Sequence, residues 1–378
     1  MPPSPRQDGP RRRLDRAFTI GSWAAAVLLM GLSACWMISG WSWSIDLAAN
    51  LTAQWLGVCA GAGALWAALR RWGPAATAAG ACLLCLIGLG TGRAAFLPRE
   101  VGSTPRATPG LVRFMHYNAS ALGEGERIEE YIRLSDADVV SMVCPPNRFQ
   151  DAVASRGRLD GAFTGKLVRH WKPEVHGGDY TEVTAGFLVS RWPVRAVDRS
   201  WLGEAADYLI AGVVERPEEQ GGAFAAVAFH PRSPRTAGRW GTGNVTTHAA
   251  ALLVNRLREQ GLAVVVLTDL NSTPSGYRSR MLAREAGLRR SKPLLAATGT
   301  YPIPQSLRER GDARARVVWP VGIAIDDLLV SEGVEVVGWS VGPRMESGHV
   351  PIVVELIVPG AGAGKGTGGA EVGGGSGR

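Results

Sequence analysis

Three long apolar stretches near the N-terminus constrain the fold of this chain more than any other feature. They cover residues 17–38, 51–69 and 74–92. Each is close to the ~20 residues that an α-helix needs to cross a lipid bilayer. The first stretch is too long for the apolar part of a cleaved signal peptide, and no small-residue cleavage site stands out before the second stretch. The sequence therefore predicts three transmembrane helices within residues 17–97, with the lipid bilayer as a partner.

The charged residues around these stretches predict their orientation. Five arginines lie in the basic tail formed by residues 1–16, and Arg70 with Arg71 follows the second stretch, whereas Asp46 is the only charge between the first two. Positively charged flanks stay on the cytoplasmic side of a membrane. We therefore expect a cytoplasmic N-terminus and an extracytoplasmic location, periplasmic or extracellular, for the chain beyond residue 98. The same arginines explain much of the net charge of +8, so that charge does not indicate a nucleic-acid partner, although it leaves one open.

The rest of the chain divides into a linker, one globular domain and a tail. Three prolines make residues 98–110 a short stiff linker, and the Gly-rich composition of residues 360–378 predicts a disordered tail. The ~250 residues between them, 111–359, are enough for one sizeable domain. Four of the five cysteines lie in the apolar stretches, which leaves Cys144 alone in this domain and excludes a disulfide within it.

Short apolar or alternating runs, typical of β-strands, outnumber helical patterns in the domain. The predicted strands cover residues 112–118, 138–144, 185–190, 223–230, 263–270, 323–331, 334–341 and 352–358. Apolar residues at three-to-four spacing predict helices over residues 126–134, 246–260 and 277–286. Because strands and helices do not strictly alternate, the pattern favours packed sheets with helices outside them over a doubly wound parallel sheet.

Several predicted strands end in, or follow, a polar side chain that can bind metal or phosphate. Because side chains alternate across a strand, Asp269 and Asn271 share one face, and the Thr-Pro-Ser-Gly after them turns the chain at once. Asp327 falls on the opposite face of its strand from the acid before it, and is expected to be exposed to solvent. The remaining residues of this kind are Asn118, His230, Asp326 and His349. Their common position predicts that six side chains meet at one rim of the core.

Each of these residues also has a purely structural interpretation. Asp269 and Asn271 could cap the turn that follows them, and His230 could simply end a strand. The pairing of His349 with Asp326 could likewise be a structural hydrogen bond. The order of the whole set along the chain favours a shared site over these separate explanations.

The order of the motifs resembles the endonuclease/exonuclease/phosphatase family, the DNase I-like superfamily of metal-dependent enzymes. The matching segments are FMHYNAS, DADVVSMVC, TAGFLVSRWPV, AFAAVAFHP, VVVLTDLNSTP, VGIAIDDLLVS and SGHVPIVVEL. The preceding spans, TYP at 300–302 and WPVG at 319–322 resemble the bacterial membrane-anchored subgroup. The resemblance implies an α+β fold, a four-layer, two-sheet β-sandwich flanked by helices, with a site where the strand ends of the two sheets meet.

The resemblance also implies an activity and a role for each residue. The family hydrolyses phosphoesters with water and a divalent metal, here Mg²⁺ or Mn²⁺. Asp326 would accept a hydrogen bond from His349 and so fix its tautomer. The implied catalytic set is Asp269, Asn271, His349, Asp326 and His230. The implied phosphate-binding residues are Asn118, His230 and Asn271, and the implied metal ligands are Asn118 and Asp269.

Two carboxylates of the family pattern are missing from this chain. Cys144 stands where the family has a metal-binding Glu, and Gly348 stands where it has the Asp before its last His. Mg²⁺ prefers hard oxygen ligands, and the loss of even an outer partner weakens metal binding ~10 to 100-fold. The loop acids Asp179, Glu182 and Asp207 could replace them. Cys144 itself, followed by two prolines, is interpreted as a buried small hydrophobic side chain rather than a ligand.

Two hypotheses of different classes follow. The first is a membrane-anchored, metal-dependent phosphoester hydrolase with a degraded metal site. The second is a non-catalytic relative that acts as an extracytoplasmic phosphate-ligand binding or scaffold module, and the loss of the acids at Cys144 and Gly348 favours it. The ordered motifs lean toward the enzyme, and the sequence identifies neither the phosphoester substrate nor the oligomeric state.

Overall fold

The computed structural model describes most of the chain in two compact units. The described residues are 10–97, 99–119, 125–145, 163, 165–169, 186–296, 298–301, 322–345 and 347–360. One unit contains the chain up to Thr91 with Pro274–Tyr277, and the other contains Gly92–Thr273 and the chain from Arg278 onward. The predicted tail beyond residue 360 lies outside the described residues.

The first unit is helical. Its elements are α1 (Pro10–Ala34), a 3₁₀ helix (Cys35–Ile38), α2 (Trp43–Asn50), α3 (Thr52–Ala68) and α4 (Trp72–Gly90). Two helices, Arg11–Ile38 and Trp72–Gly90, are long and apolar enough to cross a membrane. A third span exists only if α2 and α3, which meet at a bend of 62°, are counted together. The structure thus supports two or three of the predicted spans by length and composition.

The core of this unit combines small side chains with two large ones, Leu29 and Trp66. The buried cluster consists of Ala26, Leu29, Cys59, Trp66, Ala78 and Ala81. The segment before α3 forms the short helix α2, which Ser42 caps by accepting a hydrogen bond from the Ile45 amide at 3.4 Å. Asp46, the only charge between the first two apolar stretches, is buried in this helix and accepts from Asn50 Nδ2 at 3.2 Å.

The second unit is a sandwich of two six-stranded sheets. Its strands are β1 (Leu111–Asn118), β2 (Val139–Val143), β3 (Gly165–Arg169), β4 (Gly186–Ser190), β5 (Val194–Ala196), β6 (Leu209–Val214), β7 (Phe224–Phe229), β8 (Val264–Asp269), β9 (Arg289–Arg290), β10 (Asp326–Val330), β11 (Glu335–Val341) and β12 (Ile352–Ile357). Its helices are α5 (Gly125–Ser135), α6 (Ala237–Glu259) and α7 (Tyr277–Ala286), with 3₁₀ helices at Ser200–Tyr208 and Glu218–Gln220. The strand orders are β11-β12-β1-β2-β4-β3 and β5-β6-β7-β8-β10-β9.

The second unit has four layers, with helices on the outer face of each of the two sheets. One face of each sheet contributes to the core between the sheets, where Phe114 and Phe224 meet edge to face with ring centroids 5.8 Å apart. The outer face of the first sheet packs on α5 through Ile128 and Ile132. The outer face of the second sheet packs on α6 and α7. The predicted two-sheet architecture with outer helices is confirmed, and both sheets are mixed because β1–β2 and β7–β8 are parallel pairs.

Four strands of the described chain were not predicted, namely β3, β5, β6 and β9. The most informative is β6, which is buried on both faces, so its apolar run shows no alternation. Gly212 interrupts that run because a Cβ there would overlap Val194 on β5. Helix α6 begins nine residues before the predicted start, at a Thr236 cap that accepts from the Arg239 amide at 3.3 Å. Glycines in its first turns, which are poor helix formers and add no apolar side chain, are the reason why the sequence pattern did not predict this part of the helix.

Candidate active site

The polar strand ends meet at one end of both sheets. β1 ends in Asn118, β8 ends in Asp269 and β10 begins with Asp326. Because β10 runs antiparallel to β8 with Asp326 opposite Asp269, the two acids lie at the same edge. β12 runs antiparallel to β1, so His349, just before β12, lies beside the end of β1. Strands of both sheets therefore supply one cluster of polar side chains.

Asp269 lies at the centre of this cluster and is only 1% exposed. Its Oδ2 accepts a hydrogen bond from Asn118 Nδ2 at 2.8 Å. Its Oδ1 accepts from the backbone N–H of Asn271 at 2.8 Å, which is the turn cap that the structural interpretation anticipated. The carboxylate therefore caps its own turn and also joins the two sheets, since Asn118 belongs to the other sheet.

His349 is held between Asp326 and Asn118. Its Nδ1 lies 2.9 Å from Asp326 Oδ2 and 3.2 Å from Oδ1, so the carboxylate accepts from the ring nitrogen. Its Nε2 lies 3.4 Å from Asn118 Nδ2. With Nδ1–H fixed on the carboxylate, Nε2 is the ring atom that can exchange a proton in the site.

Three further residues hold this pair in place. Thr300 Oγ1 accepts the backbone N–H groups of Ile325 and Asp326, each at 3.1 Å. Ser347 Oγ donates to the Asn118 carbonyl at 2.7 Å and accepts the His349 amide at 3.1 Å. The Tyr301 ring packs on the His349 ring with centroids 4.6 Å apart. None of these three was predicted as a site residue, although TYP and SGHVP are part of the resemblance.

His230 forms the other side of the cluster. Its Nε2 lies 2.9 Å from Asn271 Nδ2 and 3.4 Å from Asp269 Oδ2. Its Nδ1 lies 3.4 Å from the sulfur of Cys144. Both Cys144 and Asn271 adopt left-handed backbone conformations, with φ of 48° and 50°. Such a conformation is common for Asn but unusual for Cys, and unusual backbone geometry is concentrated at functional sites.

Opposite charges shift the pKa values of the buried groups. Burial alone raises the pKa of Asp269, but the hydrogen bond with His230 and the charge of His349 bring it well below its ordinary value. Burial lowers the pKa of His349, yet the Asp326 carboxylate outweighs burial and raises it. Burial also lowers the pKa of His230, but the neighbouring Cys144 and Asp269 outweigh burial and raise this pKa well above its ordinary value. Shifts of this kind are typical of catalytic sites.

The structure brings all of the predicted site residues into one hydrogen-bonded network. The members are Asn118, His230, Asp269, Asn271, Asp326 and His349. The roles assigned to them by resemblance stay predictions. The interpretation of Cys144 as a buried small hydrophobic side chain is wrong, because its thiol is half-buried and faces an imidazole.

Asp327 is also placed differently from its prediction. It does lie on the opposite face from Asp326, but it is fully buried there rather than exposed. Its Oδ2 accepts from Arg290 Nε at 2.8 Å, and its Oδ1 accepts from Ser291 Oγ at 2.6 Å. Helices α6 and α7 cover this face of the sheet, and this is why Asp327 is buried and not exposed. Asp327 therefore belongs to the fold rather than to the site.

A buried acidic and imidazole group could hold a metal ion. Ligand atoms of Asp269, Asp326 and His349 all lie within 4.8 Å of one another. Carboxylate oxygens and one imidazole suit a divalent cation, although each of these groups already has hydrogen-bond partners. Within the described residues this is the one group of three or more His, Cys, Asp or Glu side chains whose ligand atoms lie this close together, and the exposed Asp207 is not part of it. Asp179 and Glu182 lie outside the described residues.

A side chain at the position before His349 would press on the ring of Tyr301. A Cβ on Gly348 would be 3.3 Å from Cε2 of Tyr301, so the ring occupies the space beside the backbone. Together with the thiol at Cys144, this leaves the site with fewer hard oxygen ligands than the family pattern implies.

Comparison with known proteins gives matches among solved structures. No family model matches the sequence, and no curated protein matches it. The chain is similar to an endonuclease/exonuclease/phosphatase from Beutenbergia cavernae, at 17% identity over 66% of this chain and 72% of the other, with a TM-score of 0.45. It is similar to the endonuclease/exonuclease/phosphatase from Bacteroides vulgatus, at 16% identity over 66% and 99% of the two chains, with a TM-score of 0.47.

A third similar structure is sphingomyelinase C from Streptomyces griseocarneus. It is 12% identical, over 67% of this chain and 99% of the other, with a TM-score of 0.41. At these identities the similarity concerns the fold alone. Solved structures of the endonuclease/exonuclease/phosphatase family are thus among those that resemble this chain, as its sequence motifs imply.

Proposed function

We propose that this protein is a membrane-anchored hydrolase of phosphoester bonds. The observation that carries the proposal is the single network that joins the six polar side chains of the site across both sheets, in particular the Asn118–Asp269 hydrogen bond of 2.8 Å. Preorganised donors and acceptors at the rim of a rigid core are what stabilises charge that develops during phosphoryl transfer. The resemblance in motif order supports the same reaction class.

The site residues fall into two groups, one that would transfer protons and one that would orient the phosphate. His349, with Nδ1–H held by Asp326, would move a proton at Nε2 to or from the attacking water or the leaving oxygen. The amides of Asn118 and Asn271 would orient phosphate oxygens, with His230 as a further donor. Asp269, ionised because its pKa is lowered, would orient the attacking water.

The residues that would hold a metal are Asp269 and Asn118, with Asp326 and His349 close enough to contribute. A bound Mg²⁺ or Mn²⁺ would neutralise phosphate charge and polarise the bond that breaks. The anchor proposed for this domain consists of the apolar helices, and the arginine distribution supports a cytoplasmic N-terminus with the site on the other side of the membrane.

Turnover by the full chain in detergent micelles tests this function. The substrates are p-nitrophenyl phosphate and bis-p-nitrophenyl phosphate, each with Mg²⁺ or Mn²⁺ and with EDTA. We expect Asp269→Ala to lose turnover by about 100-fold or more, because it removes the central acceptor of the network. Glu335→Gln, at an exposed carboxylate on β11, is the matched control and should keep wild-type rates. A full chain that hydrolyses neither ester, or equal rates in Asp269→Ala and wild type, would contradict the proposal.

A second candidate function is a non-catalytic module that binds a phosphate-bearing ligand. The observation that favours it is the absence of acids at Cys144 and Gly348. It predicts an inactive parent and activity in the double variant Cys144→Glu with Gly348→Asp, measured with the same esters. Since Tyr301 occupies the space at Gly348, the double variant is also prepared with Tyr301→Ala. An active parent that gains little from these changes would exclude the module.

A further inference from the structure

Arg278 contacts the turn that presents Asn271 to the site. It is the second residue of α7 and one of the two largest side chains that are fully buried in the described part of the chain. Its Nη1 donates to the backbone carbonyl of Leu270, the residue between Asp269 and Asn271, at 3.2 Å. Arginine is rarely buried completely unless it has specific partners, so these contacts indicate a defined task. None of the roles implied for the site by its motifs uses this side chain.

The peptide group between Leu270 and Asn271 is held at both of its ends. Its carbonyl oxygen accepts from Arg278, and its N–H, which belongs to Asn271, donates to Asp269 Oδ1 at 2.8 Å. Asn271 has a left-handed backbone, with φ of 50°, a conformation that persists only where its surroundings hold it. The fixed peptide plane sets the direction of the Asn271 side chain, whose Nδ2 donates to the Pro231 carbonyl at 3.1 Å. The orientation of this amide therefore depends on the guanidinium.

Helix α6 supplies the remaining acceptors of the guanidinium. Arg278 Nε donates to Asn244 Oδ1 at 3.2 Å, and Nη2 donates to the Trp240 carbonyl at 3.5 Å. Gly243 leaves the space for these contacts, because a Cβ there would overlap the guanidinium. Glycine weakens the interior of a helix, so the side chain that it admits explains its place in α6. Since α6 follows the segment that begins at His230, Arg278 connects the chain after β7 to the chain after β8.

We propose that Arg278 is a positioning residue, which holds the Leu270–Asn271 peptide so that the Asn271 amide meets a phosphate oxygen. This inference rests on the role proposed for Asn271, and it adds a residue that acts through Asn271 without touching the substrate. The geometry requires arginine, because each of its three nitrogen atoms has a different acceptor. Lysine has a single nitrogen on a flexible stem and cannot replace the planar fork.

Binding of inorganic phosphate to the full chain in detergent micelles tests this role without any need for turnover. Isothermal titration calorimetry compares wild type, Arg278→Met, Asn271→Ala and the double variant. We expect each single variant to bind phosphate about 10-fold more weakly, through the loss or misplacement of one hydrogen bond to a charged group. The double variant should bind no more weakly than Asn271→Ala, because Arg278 acts through Asn271. Arg284→Met, at an exposed arginine on the same helix, is the matched control and should bind like wild type.

The four affinities separate positioning from a purely structural role. A structural role would weaken phosphate binding by the same factor whether or not Asn271 is present. Equal factors in the two backgrounds would therefore overturn the proposal, as would wild-type affinity in Arg278→Met or a wild type that binds no phosphate. Arg278→Lys keeps the charge but not the three contacts, and it gives the same comparison if Arg278→Met does not fold.

Turnover of p-nitrophenyl phosphate distinguishes the failure of this proposal from the failure of the hydrolase. In an active chain, kcat/KM should fall about 10-fold in Arg278→Met and should fall no further when Arg278→Met is added to Asn271→Ala. The non-additive pattern of phosphate binding in a chain that hydrolyses no ester would support the role of Arg278 and contradict the hydrolase. Wild-type kinetic constants in Arg278→Met, with activity lost in Asp269→Ala, would overturn the role of Arg278 and support the hydrolase.

Discussion

His349 Nδ1 lies 2.9 Å from Asp326 Oδ2, and this hydrogen bond links the segment just before β12 to the first residue of β10. The two strands belong to different sheets, so the pair connects the two halves of the sandwich at the site. A histidine positioned in this way presents only Nε2 to a substrate. Its proton chemistry therefore depends on how the two sheets are packed.

Replacing the acid of this pair should damage catalysis more than binding. We expect Asp326→Asn to lower kcat about 100-fold or more, because an amide can donate to Nδ1 and favour the wrong tautomer of His349. KM should change little, since Asp326 does not reach the phosphate-orienting amides. Steady-state kinetics on the full chain measure both constants, with the melting temperature as a check on folding. An unchanged kcat would show that the pair is structural.

Thr300 supports Asp326 from the backbone side, and its hydroxyl can be tested separately. Thr300→Val leaves two buried N–H groups without their acceptor, and we expect about 1–3 kcal/mol of lost stability together with reduced turnover. Thr300→Ser keeps the oxygen and is the matched control, which should stay close to wild type in both measurements. Denaturant unfolding of the full chain in micelles gives the stability difference. A Thr300→Val variant as stable and as active as wild type would contradict this role of the hydroxyl.

The burial of His116 predicts that the domain loses stability in acid. His116 is fully buried beside Ser141 Oγ at 3.3 Å, and burial lowers its pKa to about 3. In the unfolded chain His116 has a pKa near 6.5, so it binds a proton at pH values where the buried ring of the folded chain stays neutral. Stability is therefore lost as the pH falls from about 6.5 toward 3, by up to about 5 kcal/mol in total.

The variant His116→Gln isolates this contribution. It should flatten the dependence of unfolding free energy on pH between pH 6 and 4 relative to wild type, by about 1.4 kcal/mol per pH unit. Parallel pH curves for wild type and His116→Gln would show that His116 is not the acid-sensitive group.

Asp327 should matter for folding and not for chemistry. Asp327→Asn leaves Arg290, which is 2% exposed, without its carboxylate, and the loss of one partner of a buried pair typically costs about 3–5 kcal/mol. We expect a lower melting temperature and unchanged KM in the fraction that stays folded. Glu335→Gln, an exposed carboxylate on β11, is the control for charge removal alone. A stable but inactive Asp327→Asn would mean that this acid acts in the site.

The sequence predicted the edge of the sandwich better than its interior. Asp269 and Asn118 could be placed together because strand ends with polar residues are recognisable and because a rim position follows from alternation. Strand β6 was missed because a strand buried on both faces shows no period of two, and Gly212 makes its run look broken. The burial of Asp327 depends on Arg290, whose approach is tertiary and leaves no local signal.

For the site, local sequence patterns predicted the positions of the polar residues but not the contacts between them. The six polar residues stand at predictable positions, but the contact between Cys144 and His230 joins β2 of one sheet to the end of β7 in the other. A sequence pattern cannot report which side chains face each other across two sheets. The same holds for Tyr301, whose ring packs on His349 and occupies the space beside Gly348.

The direct pairing of Asp326 with Asp269 has a consequence for how this domain can change during evolution. A one-residue deletion inside β10 would rotate Asp327 into the site and aim Asp326 at Arg290, which would exchange a catalytic acid for a structural one. Insertions in the connection between the two strands carry no such penalty where they leave Asn271, Arg290 and Thr300 in place, because both acids then keep their positions. Lineages of this protein should therefore tolerate length changes elsewhere in that connection and none within the ten or so residues that form these two strand ends.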